Sequence, residues 1–190
     1  MRPIFLDLLP EESITLRKFG RGEKLFHFGQ EVSGFYFVKR GAARLERHSS
    51  NGETIIIHQA KPGETFAEAS LFSDHYHCDA IAVSDCEVEH IDKQIALSCQ
   101  RRDPRFAAGL AAHLAQQLQS NRRLLELRSI RSARDRVLAG VEEGLLVSDI
   151  KTFASEIGLT HEVTYRALSS LATSGLIIKE GRGHYLSISV

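Results

Sequence analysis

The 190-residue sequence has three cysteines, no long apolar run and no excess charge of either sign. Cys78, Cys86 and Cys99 are odd in number and scattered, which argues against a disulfide framework and for reduced thiols in a cytoplasmic protein. No segment approaches the roughly 20 apolar residues of a membrane helix. The apolar run within Met1-Arg2-Pro3-Ile4-Phe5-Leu6-Asp7 is too short for a signal peptide, so no membrane partner is expected. With 24 Lys+Arg against 24 Asp+Glu, any nucleic-acid contact must come from a local patch. Catalytic signatures are missing as well: there is no nucleophile elbow, Walker loop, HExxH or dinucleotide GxGxxG opening a helix. An enzyme is not expected. At 43% hydrophobic and 25% charged, the chain reads as an ordinary globular protein of one or two domains.

What the sequence does have is one long helical stretch, from Asp103 to about Arg131. Asp103 is a good N-cap, because its carboxylate can accept orphan amide hydrogens of the first turn. Pro104 suits the first helical position, where its missing N–H costs nothing. Gly109 is the only glycine or proline between Pro104 and Gly140, and Ala, Leu, Gln and Arg dominate. Such a helix is roughly 40 Å long. Leu114, Leu118, Asn121 and Leu125 step by four, three and four, a coiled-coil seam that predicts a dimer interface. Asn121 would pair with its own copy and fix the register. Phe106, Leu110, Leu124 and Leu127 lie largely off the seam and are expected to pack on the N-terminal part. The plainer alternative is one amphipathic helix buried in a monomer.

Residues 1–18 read as a short helical lead-in. From Phe19 to Ile91 glycines recur between short apolar runs. Phe35–Val38 is a strand by composition. Ala43–Glu46 and Thr54–His58 flank Asn51-Gly52, a strong hairpin signal. Ala80–Val83 and Cys86–Ile91 are read as a further pair around Ser84-Asp85. Many short strands at close spacing predict a small antiparallel sandwich or barrel. Four motifs then occur in order: Gly22-Glu23-x-Leu25-Phe26-x-x-Gly29, Phe35-Tyr36-Phe37-Val38-x-x-Gly41, Gly52-Glu53, and Gly63-Glu64-x-Phe66-Ala67-Glu68-Ala69-Ser70-Leu71-Phe72. With the long helix behind them, they resemble a cyclic-nucleotide-binding β-roll of the cAMP receptor protein/FNR (Crp/Fnr) family of bacterial transcription regulators. The fold expected is α+β: a β-roll sensor over 1–102, a dimerisation helix over 103–132 and a winged helix-turn-helix over 133–190.

The C-terminal residues agree with that resemblance. Ala133–Val141 continues helical, and Gly144–Val147 reads as a short break or strand. Ser148 is a plausible N-cap for a helix from Asp149 to Ile157. Gly158-Leu159 turns the chain, and Thr160 caps a second helix to about Thr173. Phe153, Ala154, Ile157, Val163, Ala167, Leu168 and Leu171 are expected inward. Leu176–Lys179 and His184–Ile188 flank the Gly-rich wing tip Glu180-Gly181-Arg182-Gly183. Thr160, His161, Glu162, Thr164, Tyr165, Arg166 and Ser169, with Arg182 at the wing, are the candidate DNA contacts. Glu162 and Arg166 are four apart and project from one face. They could simply pair with each other. On a recognition helix, Arg166 can instead donate two hydrogen bonds to guanine, and Glu162 can accept from cytosine N4. The Glu-x-x-x-Arg spacing is similar to the family's recognition helix, which implies a TGA-like half-site core. His161, where the cAMP receptor protein has arginine, and Tyr165, where a small residue is usual, leave the outer bases open.

A candidate effector pocket comprises Glu68, Ser70, His75, His77 and Cys78, with Asn121 and Arg122 on the long helix. In the resemblance Glu68 matches the glutamate that contacts ribose. The arginine that neutralises a cyclic phosphate is missing from Ser73-Asp74-His75-Tyr76-His77-Cys78-Asp79, which argues against cAMP. His75-x-His77-Cys78 contains ligand types suited to a metal or haem, but the commoner role of such histidines is hydrogen bonding to backbone, and no metal site is assigned. A four-thiolate iron–sulfur cluster needs more cysteines than one chain has. The resulting expectation is a homodimeric regulator that binds double-stranded DNA at an inverted repeat. RNA polymerase is a partner implied by the resemblance. The alternative is a ligand-binding module with no direct DNA role.

Overall fold

The computed structural model describes residues 2–52, 54–146, 149–181 and 184–187. The chain forms two compact units, Met1–His113 and Leu114–Val190.

The first unit is a β-roll. Its lead-in is not one helix but two short 3-10 turns, Ile4–Leu8 and Glu11–Ser13, followed by strand β1, Ile14–Phe19. Pro10 interrupts any longer helix by removing a donor, and Ile14-Thr15 favours the extended chain. Seven more strands follow: β2 (Lys24–Phe26), β3 (Gly34–Arg40), β4 (Ala43–His48), β5 (Thr54–Ala60), β6 (Thr65–Phe66), β7 (Asp79–Ala82) and β8 (Cys86–Asp92). They make two four-stranded antiparallel sheets, ordered β1-β8-β3-β6 and β2-β7-β4-β5. The expected hairpin around Asn51-Gly52 is the β4/β5 pair. The expected pairing of the two strands around Ser84-Asp85 does not occur. There the chain crosses between sheets, because β8 already has β1 and β3 on its two edges and β7 has β2 and β4. Gly41 makes this crossing possible: it has a φ of +76°, and a Cβ there would lie 2.2 Å from the Asp85 carbonyl oxygen.

Between the sheets, Phe26, Tyr36, Phe66 and Tyr76 stack. Phe26 and Tyr76 have ring centroids 3.8 Å apart, and Tyr36 and Phe66 5.0 Å. The Tyr76 hydroxyl donates to Gly34 O at 2.6 Å and accepts from Gly34 N at 3.2 Å, so its polar end is satisfied in the core. His90 lies nearby, 3.1 Å from Ser33 Oγ. Burial, reinforced by Arg17, pushes its pKa down to about 4 and keeps the ring neutral at neutral pH.

Helix α1, Lys93–Arg102, is an element the sequence reading lacked; Asp92 caps it by accepting from Ile95 N at 2.9 Å. Helix α2 runs from Pro104 to Ser129, and Asp103 accepts from Arg105 N at 2.8 Å as expected of the cap. Phe106 and Leu110 are buried in the first unit, Phe106 edge-on to Phe5. Leu127 departs from expectation and is buried in the core of the second unit. It lies some 30 Å further along the helix than Phe106, too far to share one packing site.

The second unit contains α3 (Ala133–Glu142), α4 (Ile150–Glu156), α5 (His161–Thr173) and the antiparallel strands β9 (Ile177–Gly181) and β10 (His184–Ser187). Ser132, Asp149 and Thr160 cap the three helices through their side chains. The expected cap Ser148, Val147 and the wing-tip residues Arg182 and Gly183 lie outside the described residues. Asp149 takes the cap by accepting from Thr152 N at 2.9 Å, so α4 begins one residue later than expected. Val137, Phe153, Ile157, Leu168, Leu171 and Ile177 form the centre of the core.

Candidate nucleic-acid interface

Helix α5 follows the turn at Gly158-Leu159 and packs Ala167, Leu168 and Leu171 into the core, with Val163 half-buried. His161, Glu162, Tyr165, Arg166 and Ser169 are exposed on its outer side. Thr164 is not with them. It is fully buried, and its hydroxyl has no hydrogen-bond partner among the described residues. Residues 164, 168 and 171 share one helical stripe, so Thr164 faces the core and is removed from the candidate DNA contacts. Thr160 Oγ1 accepts from Val163 N at 3.3 Å, which commits this hydroxyl to capping.

Neither Glu162 nor Arg166 makes an ion pair or a side-chain hydrogen bond among the described residues, including with each other. The His161 and Tyr165 rings stack at 6.4 Å between centroids, an aromatic pair one turn apart. A shallow groove lined by Tyr165, Arg166, Ser169, Ser170, Thr173 and Ser174 continues along the helix. An acid, a guanidinium and several hydroxyls on one rigid face can address base edges and phosphates together.

The roll's candidate site is different in kind. Glu68 is only 3% exposed. It accepts from Thr65 Oγ1 and lies 3.2 Å from His113 Nε2, while Thr65 Oγ1 is 2.6 Å from the same nitrogen. His113 comes from α2, 45 residues away in sequence, and had no local signal. Ala67, just before Glu68, has a φ of +67°, the left-handed region that favours glycine. The stretch from His75 to Cys78 is irregular rather than a strand, with Tyr76 buried between two exposed histidines. His77 Nε2 is 3.3 Å from Ser73 Oγ, and His75 bridges the backbone of Glu31. Burial, then Asp79, pushes the Cys78 thiol up, away from the thiolate a metal would need. Among the described residues no group of three His, Cys, Asp or Glu could hold a metal ion. Asn121 and Arg122 are exposed and belong to the second unit. Of the seam residues, Leu118 and Leu125 are 51% and 64% exposed in the single chain, Asn121 is exposed and Leu114 is half-buried.

Residues 16–103 match the cyclic nucleotide-binding domain family. The chain is 32% identical over 189 residues to the cyclic AMP receptor protein of Thermus thermophilus, covering 92% of this chain and 88% of that protein. This chain belongs to the Crp/Fnr family. Its members are DNA-binding transcription regulators, not enzymes. The crystal structure of the Thermus thermophilus catabolite activator protein is similar over 98% of this chain and 91% of that one, at 28% identity and a TM-score of 0.55. FixK2 from Bradyrhizobium japonicum shares the fold over 93% of each chain, with a TM-score of 0.71 at 22% identity. No helix among the described residues is long and apolar enough to cross a membrane.

The Crp/Fnr fold implies a cyclic nucleotide, and the residues of this roll do not fit one. Glu68, the match to the ribose-contacting glutamate, is buried and engaged by Thr65 and His113. From Ser70 to Asp79 there is no lysine or arginine to neutralise a phosphate. Asp79 adds a carboxylate; burial works to raise its pKa, but Lys24 at 2.9 Å and the Phe28 amide at 2.7 Å outweigh that and hold it ionised below its ordinary range.

Proposed function

We propose that this Crp/Fnr chain acts as a homodimer on an inverted-repeat operator, with α5 of each subunit reading a half-site through Glu162 and Arg166. The observation that carries the reading is the exposed acid and guanidinium on α5, one turn apart and with no partner among the described residues. Ion pairing between them would have spent both groups within the helix. Arg166 donates to guanine and Glu162 accepts from cytosine, which suits a TGA-like core. His161 and Tyr165 address the outer positions. Ser169 and the free lone pair or hydrogen of the capping Thr160 hydroxyl are offered to the phosphates, and Arg182, which lies outside the described residues, is expected to join them from the wing. The leucines left open at 118 and 125, with Leu114 and Asn121, support pairing through α2. The roll biases the DNA-binding arrangement by shifting a two-state equilibrium, without a cyclic nucleotide. RNA polymerase is the partner that the family suggests.

The test is enrichment of duplexes from a random pool by the full-length protein. Two TGA-like half-sites, inverted and centred about one DNA turn apart, are expected. Added cAMP should leave the affinity for the enriched duplex unchanged. A single half-site, or no enriched sequence, would contradict the proposal.

A further inference from the structure

The junction between α2 and the helix-turn-helix carries two arginines that the DNA-reading face does not use. The C-terminal end of α4 turns at Gly158, whose φ is +70°, and Leu159 N donates back to Ala154 O at 2.8 Å. The carbonyls of the next residues, 156–158, take side-chain donors. Arg128, in the last turn of α2, donates from Nε to Glu156 O at 3.0 Å, and its stem lies against Gly158. Arg136, on α3, donates from Nη1 to Ile157 O and Gly158 O, each at 3.3 Å. Its Nε and Nη2 both donate to Ile130 O, at 2.9 and 2.6 Å. Ile130 is the residue just past the end of α2. One planar guanidinium therefore joins the end of the long helix to the turn from which α5 departs, and a second, on the long helix itself, reaches the carbonyl one residue earlier. Positive groups at the C-terminus of α4 also suit its dipole.

We propose that Arg128 and Arg136 are positioning residues for operator recognition: they fix the direction of α5 relative to the end of α2, so that a movement of the long helix is delivered to the reading helix through the α4–α5 turn. This rests on α5 reading DNA. Among the described residues Arg136 makes four hydrogen bonds in a fork that an ammonium cannot reproduce, whereas Arg128 makes one.

The experiment compares full-length Arg136→Gln, Arg136→Lys, Arg128→Lys and Arg166→Ala with wild type, on the enriched duplex and on a scrambled duplex of equal length over a range of salt. Both Arg136 variants should lose at least tenfold of the preference for the enriched duplex, with unchanged affinity for the scrambled one and an unchanged salt slope. Arg128→Lys should keep most of it. Amide hydrogen exchange at residues 157–160 should quicken in Arg136→Gln while α5 keeps its protection. A salt slope reduced by about one in the Arg136 variants would make Arg136 a phosphate contact and overturn the inference. Full discrimination, or unchanged exchange at the turn, would also overturn it. If Arg166→Ala alone discriminates like wild type, the reading of α5 fails instead, and the exchange measurement still decides the clamp.

Discussion

In the β-roll, buried carboxylates are matched from within. Glu68 has Thr65 and His113, Asp79 has Lys24 and the Phe28 amide, and Glu46 has Arg44 at 2.6 Å. On α5 the opposite holds: Glu162 and Arg166 stand exposed with no partner among the described residues. A buried charge must be paired or it costs several kcal/mol, whereas an exposed one can wait for a ligand at little expense. Polar groups in the roll therefore hold the fold, and those on α5 are available for binding. In the roll the family resemblance marks a pocket whose key acid is already engaged; in the second unit it marks a surface still open.

The sharpest way to break this contrast is Glu68→Ala. It leaves the Thr65 hydroxyl and His113 without their buried acceptor, so unfolding in denaturant should show a loss of roughly 3 kcal/mol. A loss below about 0.5 kcal/mol would mean that the roll's polar groups are as dispensable as those on a free surface.

His90 gives a comparable effect through pH. Its pKa is held near 4 in the folded chain, below the ordinary 6.5. The neutral ring is favoured by folding, so the contribution is complete above pH 6.5. It is lost as pH falls from 6.5 towards 4, because the unfolded chain takes up the proton first, for a total of up to about 3 kcal/mol. His90→Gln should flatten that part of the stability profile. An identical profile would show that another group titrates there.

Two smaller effects have the opposite sign. Ala67→Gly removes a side chain from a left-handed backbone and should stabilise the roll by about 1 kcal/mol. Thr164→Val removes a buried hydroxyl that lacks a partner among the described residues while keeping the shape, and should be neutral or stabilising by up to about 1 kcal/mol. DNA affinity should not change in Thr164→Val. A selective loss of operator binding would return Thr164 to the interface.

Much of this arrangement was legible in the residues. Asn51-Gly52 announced the β4/β5 hairpin, Asp103-Pro104 the start of α2, and Thr160 the cap of α5, because each signal is local and has one physical meaning. The failures are equally physical. Polarity alone places Thr164 outward, although its position one turn before Leu168 and two before Leu171 puts it on the packed stripe. The β7–β8 link reads as a hairpin in sequence, because adjacency does not reveal that both edges of each strand are already occupied. His113 reaches Glu68 from 45 residues away, and no spacing rule connects them. Arg128 and Arg136 likewise serve backbone carbonyls, which the sequence does not mark.

The central claim concerns sequence reading by α5, and one measurement addresses it. Affinities of wild-type and Arg166→Ala protein would be compared on the enriched duplex and on duplexes with each half-site base pair replaced in turn. Arg166→Ala should fold with stability within about 0.5 kcal/mol of wild type, since the side chain is exposed and has no partner among the described residues. It should lose discrimination at one G·C pair by about 1–3 kcal/mol, with preferences at the other positions kept. Unaltered preference at every position, or equal weakening on all duplexes, would contradict the account.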